Sequence, residues 1–196
     1  MNEMILAKLA GNFKDAILSS NEFRGELTVV VKKEEIVPVC RFLRDDPELK
    51  FDLLSDLCGA DMLVSEMDRG PEVFDHDYEN DFTKILEQPQ SRFQVIYNIC
   101  SLEKKARLRL KVLLTESEPH VETVTSVWPG SEWLERETFD MLGIIFDGHP
   151  DLRRIYLPDA FEYFPLRKDF PLMGIPGSLP LPGTAAAPHE EKNRHE

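Results

Sequence analysis

Glu135, Arg136 and Glu137 stand in a row ahead of an apolar run, and Gly148-His149-Pro150 with Arg153 and Arg154 follow directly after it. Two closely spaced glutamates suggest a paired-carboxylate mechanism, in which one acid protonates a leaving group while the other activates water or attacks. On a helix, however, residues two apart point about 200° away from each other. The two carboxylates therefore cannot flank one bond from a single face, and the catalytic pairing fails on geometry.

The elements that must position these groups are a helix and the loop behind it. The spacing predicts a helix from about 131 to 142, with Ser131 as its cap. Leu134, Thr138, Met141 and Leu142 would form its apolar stripe, with Trp133 and Phe139 at the margins. Glu135 and Glu137 would then each lie at one flank of the buried face. Glu132, Arg136 and Asp140 would lie opposite, as i,i+4 partners. A part-buried carboxylate needs a cation or hydrogen-bond donors, and the nearest cations in sequence are Arg153, Arg154, Arg167 and Lys168. The expectation is a set of salt bridges that locks helix to loop or docks a partner.

Two other chemistries are excluded by residue type. Gly143-Ile144-Ile145-Phe146-Asp147-Gly148 has the glycine spacing of a phosphate loop, but His149 and Pro150 stand where the phosphate-reaching lysine and the magnesium-binding hydroxyl are required. His149, Asp147, Asp151 and the distant Asp75-His76-Asp77 offer metal ligands without any ligand motif, and His120, His189 and His195 are scattered. A hydrogen-bonded histidine in the turn before Pro150 is the expectation. Cys40, Cys58 and Cys100 are isolated, with no C-x-x-C pair to begin a zinc or iron-sulfur site.

Composition narrows the partners. A formal charge of −13, from 36 acids against 23 bases, argues against nucleic acid and against an acidic membrane surface, both of which select Lys and Arg. No apolar run reaches the roughly 20 residues of a membrane span, and the N-terminus lacks the basic start of a signal peptide. At 196 residues and 42% hydrophobic content, one core with extensions is expected.

Along the chain, apolar periodicity predicts a helix from 2 to about 19, a strand over 27–32, and a helix over 34–43 with Pro38 in its first turn. A strand is expected near 50–54, a hairpin of alternating strands over 92–99 and 107–114, and a further strand over 120–127. This pattern describes a two-layer α+β domain, a mixed and largely antiparallel sheet packed against helices, over residues 1–171. Nine acids and two bases between Asp61 and Gln90 mark an acidic insertion over about 62–90, with a helical turn near 82–86. Residues 172–196, rich in Pro, Gly and small residues, read as an extended C-terminal arm.

The ordered series Glu135-Arg136-Glu137, Asp140-Met141, Gly143-Ile144, Phe146, Gly148-His149-Pro150, Leu152, Arg154-Ile155 and Pro165-Leu166-Arg167-Lys168-Asp169 resembles the signature of the thirty-kilodalton subunit family of respiratory complex I. In bacterial NADH-quinone oxidoreductase this is the C subunit. Phe93–Asn98, Arg107–Val112 and Ser126-Val127-Trp128-Pro129 look like the family's strands leading into it, so the resemblance spans roughly residues 50–171. It implies a member of the peripheral arm, with the FMN, iron-sulfur clusters and quinone held by partner subunits. It also implies docking beside the quinone-site large subunit (the D subunit), on the cytoplasmic side of the inner membrane, with membrane association only through the complex. Carried over as interface or structural residues, never catalytic ones, are Glu135, Arg136, Glu137, Asp140, Gly143, Gly148, His149, Pro150, Arg154, Arg167 and Lys168, with Arg153 beside them. Alternatives are the equivalent component of an energy-converting hydrogenase or ferredoxin-type dehydrogenase, a free-standing acidic adaptor, and a carboxylate hydrolase using Glu135 or Glu137.

Overall fold

The structure, a computed structural model, describes residues 1–63 and 91–171. The acidic stretch from 64 to 90, with its expected helical turn, and the arm from 172 onward lie outside the described residues. Five strands form one sheet in the order β1-β2-β5-β4-β3, with β1 at Ile17–Phe23, β2 at Glu26–Val31, β3 at Leu53–Asp61, β4 at Ser91–Ser101 and β5 at Ala106–Thr115. All neighbours are antiparallel except β2 and β5. That parallel pair requires a long crossover, supplied here by everything between Val31 and Ala106. The mixed, largely antiparallel sheet packed against helices is the architecture expected from the alternating patterns.

Period-two burial decides which face is inside. Leu27, Val29 and Val31 on β2, Phe93, Val95, Tyr97 and Ile99 on β4, and Leu108, Leu110, Val112 and Leu114 on β5 are buried and belong to one cluster. Ile5 and Leu9 of α1 (Asn2–Asn12) join that cluster, as do Ile36, Val39, Cys40 and Leu43 of α2 (Ile36–Asp45). Pro38 is the third residue of α2, where its missing N–H removes no intrahelical bond. The third helix, α3 (Ser131–Leu142), packs against β3. Gly59 permits this close approach, because a Cβ there would stand 2.5 Å from Leu142 Cδ1 and 2.8 Å from Thr138 Cγ2.

Three expectations are corrected. The first helix stops at Asn12, and Ile17 onward is the edge strand β1. Arg24 and Gly25 both have positive φ, 52° and 81°, which is what a two-residue hairpin turn between right-twisted strands requires, so the chain folds back onto β2. The strand expected at 50–54 begins at Leu53 and continues to Asp61, because Lys50, with φ 48°, sits in the turn before it. The strand expected over 120–127 shortens to β6 (His120–Glu122), which pairs in parallel with β7 (Ile145–Asp147) as a separate small sheet.

Candidate functional site

Helix α3 has the predicted bounds, and its expected apolar stripe faces the core: Thr138 and Leu142 are buried, and Leu134 and Met141 pack against the cluster. The correction is on the other side, expected in solvent, where Asp140 is 0% exposed and Arg136 is buried. Glu135 is also 0% exposed, whereas Trp133 is 61% exposed and Glu137 is exposed. Ser131 is the first helical residue and makes no capping bond; Gly130 occupies the cap position. The expected i,i+4 pairings of Arg136 are replaced by bonds to the carbonyls of Arg153 (3.0 Å) and Arg154 (3.3 Å).

The segment after Gly148 has no helix or strand among the described residues, and it is held by side chains instead. Asp140 is the hub. Its carboxylate accepts from Arg154 Nη1 at 2.8 Å and from the backbone N–H groups of Ile155 (3.0 Å), Tyr156 (2.7 Å) and Leu157 (3.1 Å). Burial alone would raise this carboxyl; the Tyr156 N–H, Arg154 and the other two N–H donors outweigh it and hold the carboxyl below its ordinary value.

The last four carbonyls of a helix have no intrahelical partner, and here each is satisfied. Phe139 O accepts from Gly143 N–H, and Met141 O from Leu166 N–H. Asp140 O accepts from Arg154 at 3.2 Å, and Leu142 O from Arg167 Nε at 2.6 Å. Two arginines at the negative end of the helix dipole are favourably placed. Arg167 also lies between Phe164 and Phe93, 4.5 and 5.0 Å from the ring centroids. Gly143 is required twice over: its φ is +74°, and a Cβ would stand 2.6 Å from Arg167 Nη2 and 2.7 Å from the Phe164 ring.

The other end of the segment is clasped to the sheet. Lys168 N–H donates to Asp61 Oδ2 at 2.9 Å, and Asp169 pairs with Arg92 at 2.9 Å. Arg92 in turn donates to both oxygens of Asp61. Burial opposes ionisation of Asp61, but Arg92 and the N–H groups of Lys168 and Leu63 hold its carboxyl below the ordinary range. Arg167 is shifted down, first by burial and then by the neighbouring Arg92 charge.

Glu135 has a different environment. Thr123 Oγ1 and the Val124 N–H donate to its two oxygens, the latter at 2.9 Å, and His149 Nε2 stands 4.0 Å away. Burial pushes its carboxyl up despite those donors. His149 Nδ1 accepts from the Asp151 N–H at 3.0 Å, so Nε2 carries the proton that reaches Glu132 O at 3.1 Å. His149 is therefore a turn clamp whose two nitrogens are both engaged.

The arginine pairings expected for Glu135 and Glu137 are thus corrected. No ion pair with a base is formed by Glu137 among the described residues; Arg154 goes to Asp140, and Arg153 goes to Asp151 at 2.9 Å. Asp61, Arg92, Thr123 and Phe164 were invisible as site residues, since nothing local in the sequence links them to the signature. Gly148, φ +79°, turns the chain at the start of the segment, and the exposed Pro150 follows His149. Chemically the arrangement is a clasp. Its carboxylates are saturated with donors, and Glu135 has no exposed surface on which a substrate could rest. Among the described residues no group of three His, Cys, Asp or Glu is placed to hold a metal ion. A recess lined by Pro38, Arg41, Phe42 and Asp45 lies along α2 rather than at the clasp.

Comparison with known proteins agrees with the signature. Residues 29–176 match the family described as respiratory-chain NADH dehydrogenase, 30 Kd subunit. The chain is 46% identical over 171 residues to the NADH-quinone oxidoreductase C subunit of Roseiflexus sp. (strain RS-1), covering 87% of this chain and 84% of that relative. It is 42% identical over 173 residues to the corresponding C subunit of Geotalea uraniireducens (strain Rf4), covering 88% and 90%. Among solved structures, a trypsin-resistant fragment (1-134) of Nqo5 superposes with a TM-score of 0.54 at 25% identity, over 78% of this chain and 100% of the fragment. A chain of the archaeal membrane-bound sulfane sulfur reductase has a TM-score of 0.61 at 17% identity, covering 87% and 86%, a likeness of fold. Most of the clasp around α3 is thus built from residues of the signature, and the chain belongs to the 30-kilodalton subunit family of respiratory-chain NADH dehydrogenases.

Proposed function

We infer that this chain is a non-catalytic peripheral-arm subunit of a proton-translocating NADH-quinone oxidoreductase. Electrons pass from NADH through FMN and iron-sulfur clusters to quinone in partner subunits, and this chain supplies assembly and docking beside the quinone-site large subunit (the D subunit). One observation carries the reading. The buried charged residues of the signature are spent on each other, on backbone groups and on Thr123, with Asp140, Arg136, Arg154 and Arg167 holding a loop against a helix. A site built for chemistry keeps a reactive group open to substrate, and a site built for docking keeps a surface in shape. The reading places the chain on the cytoplasmic side of the bacterial inner membrane, attached through the complex. No helix among the described residues is long and apolar enough to cross a membrane.

The test is a chromosomal affinity tag on this chain. Recovery of the large subunit and of NADH-quinone activity from solubilised membranes is expected, together with loss of that activity in a deletion strain. A fully assembled and active complex in the deletion strain would end this reading. A soluble tagged chain without redox subunits would favour the acidic adaptor.

A further inference from the structure

The clasp engages its arginines internally and leaves large apolar side chains outside. Trp133 is 61% exposed, Tyr156 65%, Tyr163 48% and Leu166 61%. All four are on α3 or on backbone tied to it. Tyr156 N–H and Leu166 N–H donate to Asp140 and Met141, and Tyr163 O accepts from Arg154. At about 100° per residue, Trp133 and Glu137 share one outer strip of α3, and Arg136 and Asp140, which hold the loop, lie on the flank next to it. Trp133 is stacked by Arg136, 4.8 Å from its ring centroid, and that guanidinium is itself fixed by two loop carbonyls. The aromatic is thus immobilised before any partner arrives, which lowers the entropy cost of binding.

The charge around these residues is mostly negative. From 131 to 171 the exposed ionisable residues are six acids, Glu137, Asp147, Asp151, Asp159, Glu162 and Asp169, against the two bases Arg153 and Lys168. Asp151 is paired with Arg153 and Asp169 with Arg92, which leaves Glu137, Asp159 and Glu162 outside any ion pair with a base among the described residues. Resting on the docking reading above, we propose that Trp133, Tyr156, Tyr163 and Leu166 form the anchor of the docking surface. The partner surface it fits is a protein face with an apolar centre and a rim of Lys and Arg. Aromatic anchors in the middle of a contact carry most of its affinity, and complementary rim charges set orientation and salt dependence.

The experiment compares tagged wild type, the triple variant Trp133→Ala/Tyr156→Ala/Leu166→Ala, and the rim variant Glu137→Lys/Glu162→Lys, each expressed in the deletion strain. The expected result is at least a tenfold lower recovery of the large subunit with the triple variant. The rim variant should show a smaller loss, with wild-type recovery falling as salt is raised. Thermal melting of each isolated chain should be unchanged. Full recovery with both variants, while wild type still captures the large subunit, overturns the anchor and leaves the docking reading standing. Failure of wild type itself to capture it overturns that reading. A further arm uses acrylamide quenching of the full chain and of a chain ending at residue 171. Trp128 is 4% exposed, so the accessible signal belongs to Trp133. Equal quenching is expected; protection only in the full chain would make residues 172–196 the occupant and overturn the proposal.

Discussion

Helix α3 buries two carboxylates five residues apart, and the protein treats them in opposite ways. Asp140 faces the loop, where a guanidinium and three N–H groups hold it ionised below its ordinary value. Glu135 faces the turn at 123–125, where one hydroxyl and one N–H leave burial dominant and its carboxyl raised. Neither is exposed to solvent. What separates them is the balance of burial against donors: a cation and three N–H groups outweigh burial at Asp140, whereas burial dominates at Glu135.

The comparison can be broken at Asp140 first. Asp140→Ala removes the partner of a largely buried Arg154 and the acceptor of three backbone N–H groups, and should destabilise the isolated chain by about 3–5 kcal/mol in urea unfolding. A loss near that of a surface site would mean that the loop does not depend on the hub. Next comes Gly143→Ala, which forces a side chain into a left-handed residue and against Arg167 and Phe164. It should cost about 1–3 kcal/mol, read as a lower melting temperature.

Glu135→Gln tests the other half and should change stability by only about 1 kcal/mol at pH 7, because the amide keeps an acceptor while losing the buried charge. The pH dependences should have opposite signs. Asp140 contributes stability that is fully present above its unfolded value of 3.8 and is lost as pH falls through the lower folded value. The wild-type advantage over Asp140→Asn should therefore shrink in that acid range. Glu135 binds its proton more tightly when folded, so its ionisation costs stability above the raised folded value, and that cost disappears below 4.5. Wild type should thus gain on Glu135→Gln as pH falls toward 4.5, and parallel profiles for the two variants would erase the distinction. The smallest effect is expected for Trp133→Ala, within about 0.5 kcal/mol in melting of the isolated chain, since that side chain points outward.

Much of the fold was legible. Alternation marked the hairpin of β4 and β5, and apolar spacing marked the bounds of α3. The apolar stripe of α3 was legible, but the burial of its charged side was not. Helical periodicity assigns the inside by counting apolar residues, and it does not show that Arg136 and Asp140 are buried by partners outside the helix. The turn that separates α1 from β1 was missed for a related reason. Ile17 and Leu18 fit a helical period, and only the pairing of Ile17–Phe23 with β2 shows that the chain has left the helix before them.

By itself, the sequence determined the period of most elements, the absence of a phosphate loop and the ordered signature that marks the family. Tertiary structure alone decided which of the signature's charges are spent. Lys168 reaches Asp61 across 107 positions and Arg167 caps a helix 25 residues upstream. A buried charge is tolerated only where donors or counter-charges meet it, and on this helix those partners are brought together only when the loop closes over it.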